Sequence, residues 1–82
     1  MKQIIYFTAE WCGPCKMIRP MIQELIGERL EISIVDIDQN QQLAMQYKIQ
    51  SVPTFIFMKD GVEVSRKVGA NITKEYIKQY FQ

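Results

Sequence analysis

The spacing of hydrophobic residues changes from strand-like to helix-like and back along this chain, and the order of these changes constrains its fold more than any other feature. Residues 3–9 form a β-branched and aromatic run, which is typical of a central strand buried on both faces. From Cys12 the apolar residues recur at steps of three and four, as in a helix, and residues 31–37 are predicted to form a second strand. A strand, a helix and a strand of this length form a parallel pair with a right-handed crossover, so the sequence predicts an α/β fold.

Prolines, glycines and capping residues predict where the helices begin and end. Pro14 lies in the first turn of the first helix, where its missing N–H is harmless, and Pro20 lies in the middle, where we expect a kink. Gly27 is expected to end this helix. A short second helix is predicted after Asp38, whose carboxylate is expected to cap it.

The last third of the chain predicts a hairpin followed by a third helix. Pro53 precedes an apolar run at residues 54–58, and the Asp60-Gly61 turn leads into a valine-rich strand. Thr73 is expected to cap the last helix. The predicted buried stripe of that helix comprises Tyr76, Ile77, Tyr80 and Phe81. The predicted order is therefore β-α-β-α-β-β-α.

The length and charge of the chain limit the class of protein it can be. Residues 1–82, of which 48% are hydrophobic, are predicted to form a single domain. The net charge is +1 and the charges are scattered singly, so no nucleic-acid binding is expected. The apolar run at residues 4–9 is too short for a signal-peptide core or a membrane span. We therefore expect a cytoplasmic monomer with no membrane contact.

Two cysteines three positions apart are the strongest chemical signal in the sequence. A disulfide that closes so short a loop adds only about 2 kcal/mol in the chain-entropy estimate, so a purely structural bridge is the weaker interpretation. Zinc normally needs four ligands, and the chain offers only Cys12 and Cys15 and has no histidine, so no metal site is expected. The spacing therefore favours a redox-active pair.

The position of this pair at the start of a helix explains why it can react. Unpaired N–H groups of the first helical turn stabilise a thiolate, and residues three apart on a helix are close enough for their sulfurs to join. Lys16 adds positive charge nearby, and Gly13-Pro14 keeps the loop between the cysteines free of bulky side chains. Cys12, at the helix entrance, is expected to be the exposed, attacking thiol.

The residues around the pair resemble the active site of the thioredoxin family. The segment Trp11-Cys12-Gly13-Pro14-Cys15-Lys16 is similar to the active-site sequence of that family, and residues 17–20 continue the likeness. Further similar segments follow in the expected order: Asp38-Gln39-Asn40, Ser51-Val52-Pro53-Thr54, Lys59-Asp60-Gly61 and Lys67-Val68-Gly69-Ala70. The resemblance covers nearly the whole chain and implies a minimal thioredoxin fold, a four-stranded mixed sheet with helices on both faces.

The resemblance also implies a docking surface for substrate disulfides. The Val52–Pro53 bond is expected to be cis and to lie opposite Cys12, so that the Val52 backbone pairs with an extended substrate segment. The remaining residues implied for this surface are Trp11, Gly13, Pro14, Gly69 and Ala70. The implied function is the reduction of protein disulfides, in which Cys12 attacks and Cys15 resolves the mixed disulfide. No bound cofactor is implied, and a flavin-containing thioredoxin reductase is the implied electron donor.

Two departures from the family pattern are visible. Typical thioredoxins begin with an extra strand and helix, so this chain resembles the minimal form shared with glutaredoxins. Tyr6 and Ile34 stand where thioredoxins carry a buried aspartate and a buried lysine, so the usual proton relay is absent. Lys16 and Tyr6 are the candidates for tuning the redox pair, although the first interpretation of Tyr6 is a core aromatic whose hydroxyl needs a hydrogen-bond partner.

Three other functions are weighed against the reductase. A non-catalytic thioredoxin-fold binding subunit is disfavoured because both Cys12 and Cys15 are intact. A glutaredoxin-like reductase is disfavoured because glutaredoxins favour a dipeptide other than Gly13-Pro14, and glutathione is not assigned as a ligand. An oxidase or isomerase is disfavoured because no export signal is visible.

Overall fold

Four strands and three helices follow one another in the predicted order. A computed structural model describes all residues, 1–82. The strands are β1 (Lys2–Thr8), β2 (Ile32–Asp36), β3 (Thr54–Lys59) and β4 (Val62–Val68), and the helices are α1 (Gly13–Gly27), α2 (Gln41–Gln46) and α3 (Lys74–Phe81). The predicted order β-α-β-α-β-β-α is confirmed. None of the three helices is both long enough and apolar enough to cross a membrane.

The four strands form one mixed sheet in the order β2-β1-β3-β4. The strand β1 lies inside the sheet, where it pairs in parallel with β2 and antiparallel with β3. The strands β3 and β4 form the predicted antiparallel hairpin. Its turn consists of Asp60 and Gly61, both with positive φ (52° and 82°), as expected for a two-residue turn that matches the twist of the strands.

Helices cover both faces of the sheet, as predicted. The face under α1 and α3 holds the larger core cluster, which consists of Ile4, Tyr6, Ile22, Leu25, Phe55, Phe57, Ile72 and Ile77. The opposite face, under α2, holds a smaller cluster of Phe7, Ile56 and Met58. Because each fully buried aliphatic or aromatic side chain stabilises the fold by about 1.5–3 kcal/mol, these two clusters supply most of the apolar burial that holds the sheet between its helices.

The third helix begins as predicted but buries a narrower stripe than expected. The N–H of Tyr76 donates a hydrogen bond to Thr73 Oγ1 at 3.1 Å, which confirms the predicted cap. Ile77 is fully buried, and the last two residues of the predicted stripe are half-buried. Tyr76 is 49% exposed because its ring only meets the edge of the Phe57 ring, so the prediction that it is buried was wrong.

The start of α2 differs from the sequence prediction. Its N-cap residue is Asn40, so the prediction that Asp38 caps this helix was wrong. The Asp38 carboxylate instead accepts a hydrogen bond from Trp11 Nε1 at 2.8 Å, across 27 positions of the chain. Asp36 Oδ1 closes the turn before the helix by accepting from the backbone N–H groups of Asp38 and Gln39. Capping preferences are local, and here a tertiary partner takes the carboxylate.

Two helices end at left-handed residues that are not glycine. Gly27 is the last residue of α1, as predicted, but the left-handed turn that follows the helix falls at Arg29, with φ 68°. At the end of α2, Lys48 takes φ 54°. The backbone N–H groups of Lys48 and Ile49 both return to carbonyls of the last helical turn. This pattern satisfies carbonyls that would otherwise lack partners, at the cost of left-handed strain in a lysine.

Replacing Lys48 by glycine is expected to raise the free energy of unfolding by about 0.5–1 kcal/mol, because glycine adopts a left-handed conformation without strain. Gln46→Gly is the matched control: Gln46 lies within α2, and glycine there is expected to lower the free energy of unfolding by about 1 kcal/mol. Urea-induced unfolding followed by circular dichroism measures both variants. A loss of stability in Lys48→Gly equal to that of the control would contradict the left-handed turn at the end of α2.

Candidate active site

The cysteine pair lies where β1 leads into α1. Cys12 is the N-cap residue of α1, with extended backbone geometry, and its Sγ accepts a hydrogen bond from the backbone N–H of Cys15 at 3.1 Å. Pro14 lies in the first helical turn, where no intrahelical partner for its nitrogen is required. The sulfur of Cys12 thus occupies the place that serine or aspartate takes at other helix starts, and the helix dipole favours negative charge on it.

Cys12 and Cys15 are joined by a disulfide. Their Cα atoms lie 5.2 Å apart, within the range that a disulfide spans without backbone movement. The predicted proximity of the two sulfurs is therefore confirmed.

The cysteines are more covered than the sequence suggested. Cys15 is fully buried, and Cys12 is only 4% exposed, so the prediction of an exposed Cys12 was wrong in degree. Both pack with Ala9, and the side chains of Ile37 and Val52 close over this small cluster. Cys12 is still the outer residue of the two. Its small exposed surface, which we term the opening, is the only part of the pair that solvent reaches.

The backbone of the loop before β3 faces Cys12. The Val52–Pro53 peptide bond is cis, as the resemblance implied. The carbonyl oxygen of Val52 lies 3.6 Å from Cys12 Sγ. Two hydrogen bonds hold this end of the loop: Thr54 Oγ1 donates to the carbonyl of Ser51 at 2.7 Å, and the N–H of Gly69 donates to the carbonyl of Pro53 at 2.8 Å. The predicted placement of Val52 and Pro53 opposite Cys12 is therefore present in the fold.

The other residues implied for the docking surface flank this opening to different extents. Trp11 is 66% exposed, and its indole is oriented by the hydrogen bond to Asp38, a residue that sequence reasoning had assigned to a helix cap. Gly69 has φ 101°, a conformation that side chains rarely adopt, and Gly13 has no atom within 4 Å of the place where a Cβ would be. Lys16 is exposed on the first turn of α1. This surface therefore presents small residues and one large aromatic ring.

Tyr6 lies inside the main core. It is 2% exposed, its ring stacks on that of Phe55 with centroids 4.9 Å apart, and its hydroxyl donates to Thr8 Oγ1 at 3.4 Å. Burial raises the pKa of this phenol above its ordinary value of 10.0. The tyrosine is thus neutral near pH 7, and it is the core aromatic that the sequence predicted, with Thr8 as the partner of its hydroxyl.

A cavity of about 370 Å³ opens between α1 and the β1–β2 side of the sheet, next to the site. Tyr6 and Thr8 form part of its inner wall, and Arg19, Ile34 and Asp36 lie among its outer lining residues. Ile34 is 49% exposed here, where the family pattern has a buried lysine. The cavity therefore brings solvent close to the two buried hydroxyl groups.

These features define a class of protein. A cysteine pair that closes at the N-terminus of a helix, beside a backbone carbonyl that faces the outer sulfur, is the arrangement of a thiol–disulfide oxidoreductase with a C-x-x-C site.

Comparison with known proteins identifies the family within this class. The thioredoxin family model matches residues 1–82. A thioredoxin of Chlamydia trachomatis is 47% identical over 77 residues, which cover 92% of this chain and 76% of that protein. A thioredoxin of Bacillus subtilis is 47% identical over 66 residues, which cover 77% of this chain and 64% of that protein. The X-ray structure of a Fasciola hepatica thioredoxin superimposes with a TM-score of 0.84 at 40% identity, covering 95% of this chain and 75% of that one.

The chain belongs to the thioredoxin family and is a protein-disulfide reductase. The alignments span about two thirds to three quarters of the length of these relatives. The minimal four-stranded form of the fold, implied by the sequence, is the form that the structure has.

The raised pKa of Tyr6 predicts a loss of stability in alkaline solution. Above about pH 10 the unfolded chain releases the Tyr6 proton while the folded protein retains it, so the free energy of unfolding falls as the pH rises through this window. The free energy of unfolding of Tyr6→Phe is expected to fall less steeply with pH. Near pH 7 it is expected to differ from that of the parent by only about 0.5–1.5 kcal/mol, for the lost hydrogen bond. Tyr76→Phe, which removes an exposed phenol, is the control. Equal alkaline slopes for the parent protein and Tyr6→Phe in urea unfolding would contradict the burial of this proton.

Proposed function

We propose that this protein reduces disulfides in extended segments of other proteins, with Cys12 as the nucleophile and Cys15 as the resolving thiol. The Cys12 thiolate attacks one sulfur of the substrate disulfide, forms a mixed disulfide and releases the other substrate sulfur as a thiolate. The Cys15 thiolate then attacks Cys12 Sγ and releases the remaining substrate sulfur. Two electrons pass to the substrate, both of its sulfurs take up protons, and the Cys12–Cys15 disulfide is left.

The assignment of these two roles rests on the helix start. Cys12 Sγ accepts the Cys15 N–H bond and lies at the N-terminus of α1, so its thiolate is the better stabilised of the two. Cys12 also has the only surface of the pair that solvent reaches. Lys16, one turn into the helix, adds positive charge that supports the thiolate and is our second candidate for tuning the pair.

The substrate is held by backbone pairing in our proposal. The Val52 carbonyl faces Cys12, and Pro53 leaves no N–H at the next position, so an extended segment gains its hydrogen bonds from Val52. Small residues on both sides of the opening, Gly13 with Pro14 and Gly69 with Ala70, let a second backbone approach closely. The exposed Trp11 ring supplies apolar contact area at the edge.

Water takes the proton of Cys15 in our proposal. The Tyr6 phenol is neutral near pH 7 and is therefore a poor base for a thiol. Tyr6, Thr8 and Ala9 line the 370 Å³ cavity, and Ala9 packs with both cysteines, so water in this cavity lies one residue from the pair. The role of Tyr6 in tuning the redox pair is thus to keep this position uncharged.

The remaining components of the cycle belong to the same proposal. No bound cofactor is required, because both electrons reside on the two sulfurs. A flavin-containing thioredoxin reductase returns the oxidised pair to the dithiol. The protein acts as a monomer of one domain, residues 1–82, in the cytoplasm.

Single cysteine replacements test the two roles. Cys12→Ser is expected to abolish the reduction of insulin in the presence of a reductase, whereas Cys15→Ser is expected to accumulate mixed disulfides because the resolving thiol is missing. Turbidity of released insulin chains measures the first effect, and mass spectrometry of alkylated protein measures the second. Accumulation of mixed disulfides by Cys12→Ser instead would reverse the roles, and a parent protein that leaves insulin intact would favour the non-catalytic binding subunit.

A carboxylate at position 6 tests the route of the proton. Tyr6→Asp is expected to accelerate the Cys15 attack near pH 7, because a carboxylate can take the thiol proton where the phenol cannot. It is also expected to lower the free energy of unfolding by several kcal/mol, since it removes a stacked ring and buries a carboxyl group. Stopped-flow resolution of a Cys12 mixed disulfide across pH compares the variant with the parent and with Tyr6→Phe as control. Three indistinguishable profiles would mean that position 6 is core packing only.

A further inference from the structure

An arginine on the edge strand β4 reaches across the sheet to the end of α2. Arg66 pairs with Ile56 of β3, so its side chain lies on the α2 face. Its Nε and Nη2 donate to the two carboxylate oxygens of Glu63 at 2.6 and 2.8 Å. Nη2 also donates to the backbone carbonyl of Tyr47 at 3.0 Å. The planar guanidinium thus makes a two-pronged pair with a carboxylate and binds a helix end at once, and a lysine ammonium lacks the planar fork that this pair requires.

The carbonyl that Arg66 binds lies at the start of the loop that carries the substrate-facing backbone. Tyr47 is the C-cap residue of α2, where carbonyls lack intrahelical partners. Its ring packs on Phe7 of β1, 5.8 Å between centroids. The six residues that follow, 48–53, form what we term the docking loop, which begins with the left-handed Lys48 and ends with the cis proline.

The docking loop is held at both ends by β4 and its neighbours. At its far end Gly69, just after β4, donates to the carbonyl of Pro53, and Thr54 donates to that of Ser51. At its near end the backbone N–H groups of Lys48 and Ile49 bond to carbonyls of α2, and Arg66 adds the one side-chain hydrogen bond, to the Tyr47 carbonyl. Between these anchors only Ile49 and Val52 contribute side chains to the core.

We propose that Arg66, held by Glu63, is a positioning residue for substrate binding, because it ties the end of α2, from which the docking loop starts, to β4 and so helps to keep the Val52 carbonyl facing Cys12. Arg66 touches neither sulfur and acts through the loop. The side chains of Arg66 and Glu63 are about one third exposed, and an ion pair of this kind adds little to the stability of the fold. We therefore expect the loss of Arg66 to change the geometry of the loop more than the free energy of unfolding. The inference rests on the proposed function, in which substrates pair with Val52.

Two substrates of different size separate this role from a merely structural one. In Arg66→Met, which keeps the apolar stem, the KM for insulin is expected to rise about fivefold, as for the loss of one good hydrogen bond, while kcat stays within about twofold. The rate with the small disulfide dithionitrobenzoate is expected to change less than twofold, because a small disulfide needs no pairing with Val52. Arg66→Lys is expected to resemble Arg66→Met, since an ammonium cannot form the two-pronged pair with Glu63 that orients the side chain towards Tyr47.

The matched control is Lys74→Met, which breaks an ion pair with Glu24 of similar exposure, 2.8 Å long, that joins α3 to α1. It is expected to leave the insulin KM unchanged. Backbone amide spectra supply a second readout, in which Arg66→Met shifts or speeds the exchange of residues 48–52 and Lys74→Met does not. An insulin KM in Arg66→Met equal to that of the control, or an equal loss with both substrates, would overturn the inference. A parent protein without insulin reductase activity would instead overturn the proposed function.

Discussion

The antiparallel pairing of β1 with β3 decides where the active site lies. Phe7 pairs with Thr54, so the end of β1 lies beside the start of β3. The chain leaves β1 towards Cys12 and enters β3 from Pro53, and this one register therefore brings the start of α1 within 3.6 Å of the Val52 carbonyl. A slip of one residue would turn the β3 side chains to the opposite faces, so the core and the site depend on the same register.

The two outer strands extend this arrangement along the same end of the sheet. Thr54 pairs with Val68, which brings Gly69 to the carbonyl of Pro53. In the other direction Thr8 pairs with Asp36, and the turn after β2 carries Asp38 to the indole of Trp11. Each neighbouring strand thus contributes one hydrogen-bonded contact to the surface around Cys12. The surface around Cys12 is therefore formed by the ends of all four strands.

The structure around the redox pair both stabilises a thiolate at Cys12 and shields the two sulfurs from solvent. The helix N-terminus favours negative charge on Cys12, while Ile37 and Val52 exclude most solvent from both sulfurs. A thiolate in such a place reacts through a narrow opening, so orientation of the partner matters as much as reactivity of the sulfur. The side chains that pack against the pair, Ile37 and Val52, border this opening.

What the sequence determined by itself is local: the periods of the strands and helices, the Thr73 cap, the Asp60-Gly61 turn and the closeness of Cys12 to Cys15. These features depend on residues within a few positions of one another, so a single chain carries enough information to predict them. The family resemblance added Val52 and Pro53.

Only the tertiary structure decided the features that depend on distant partners. It assigned Asp38 to Trp11 instead of a helix cap, covered Cys12 with Val52, left Tyr76 half outside the core and placed Arg66 against the end of α2. Each of these outcomes is a competition between a local preference and a contact made across the sheet. Strand register determines which side chains come within hydrogen-bond distance, and periodicity along the chain does not contain that information.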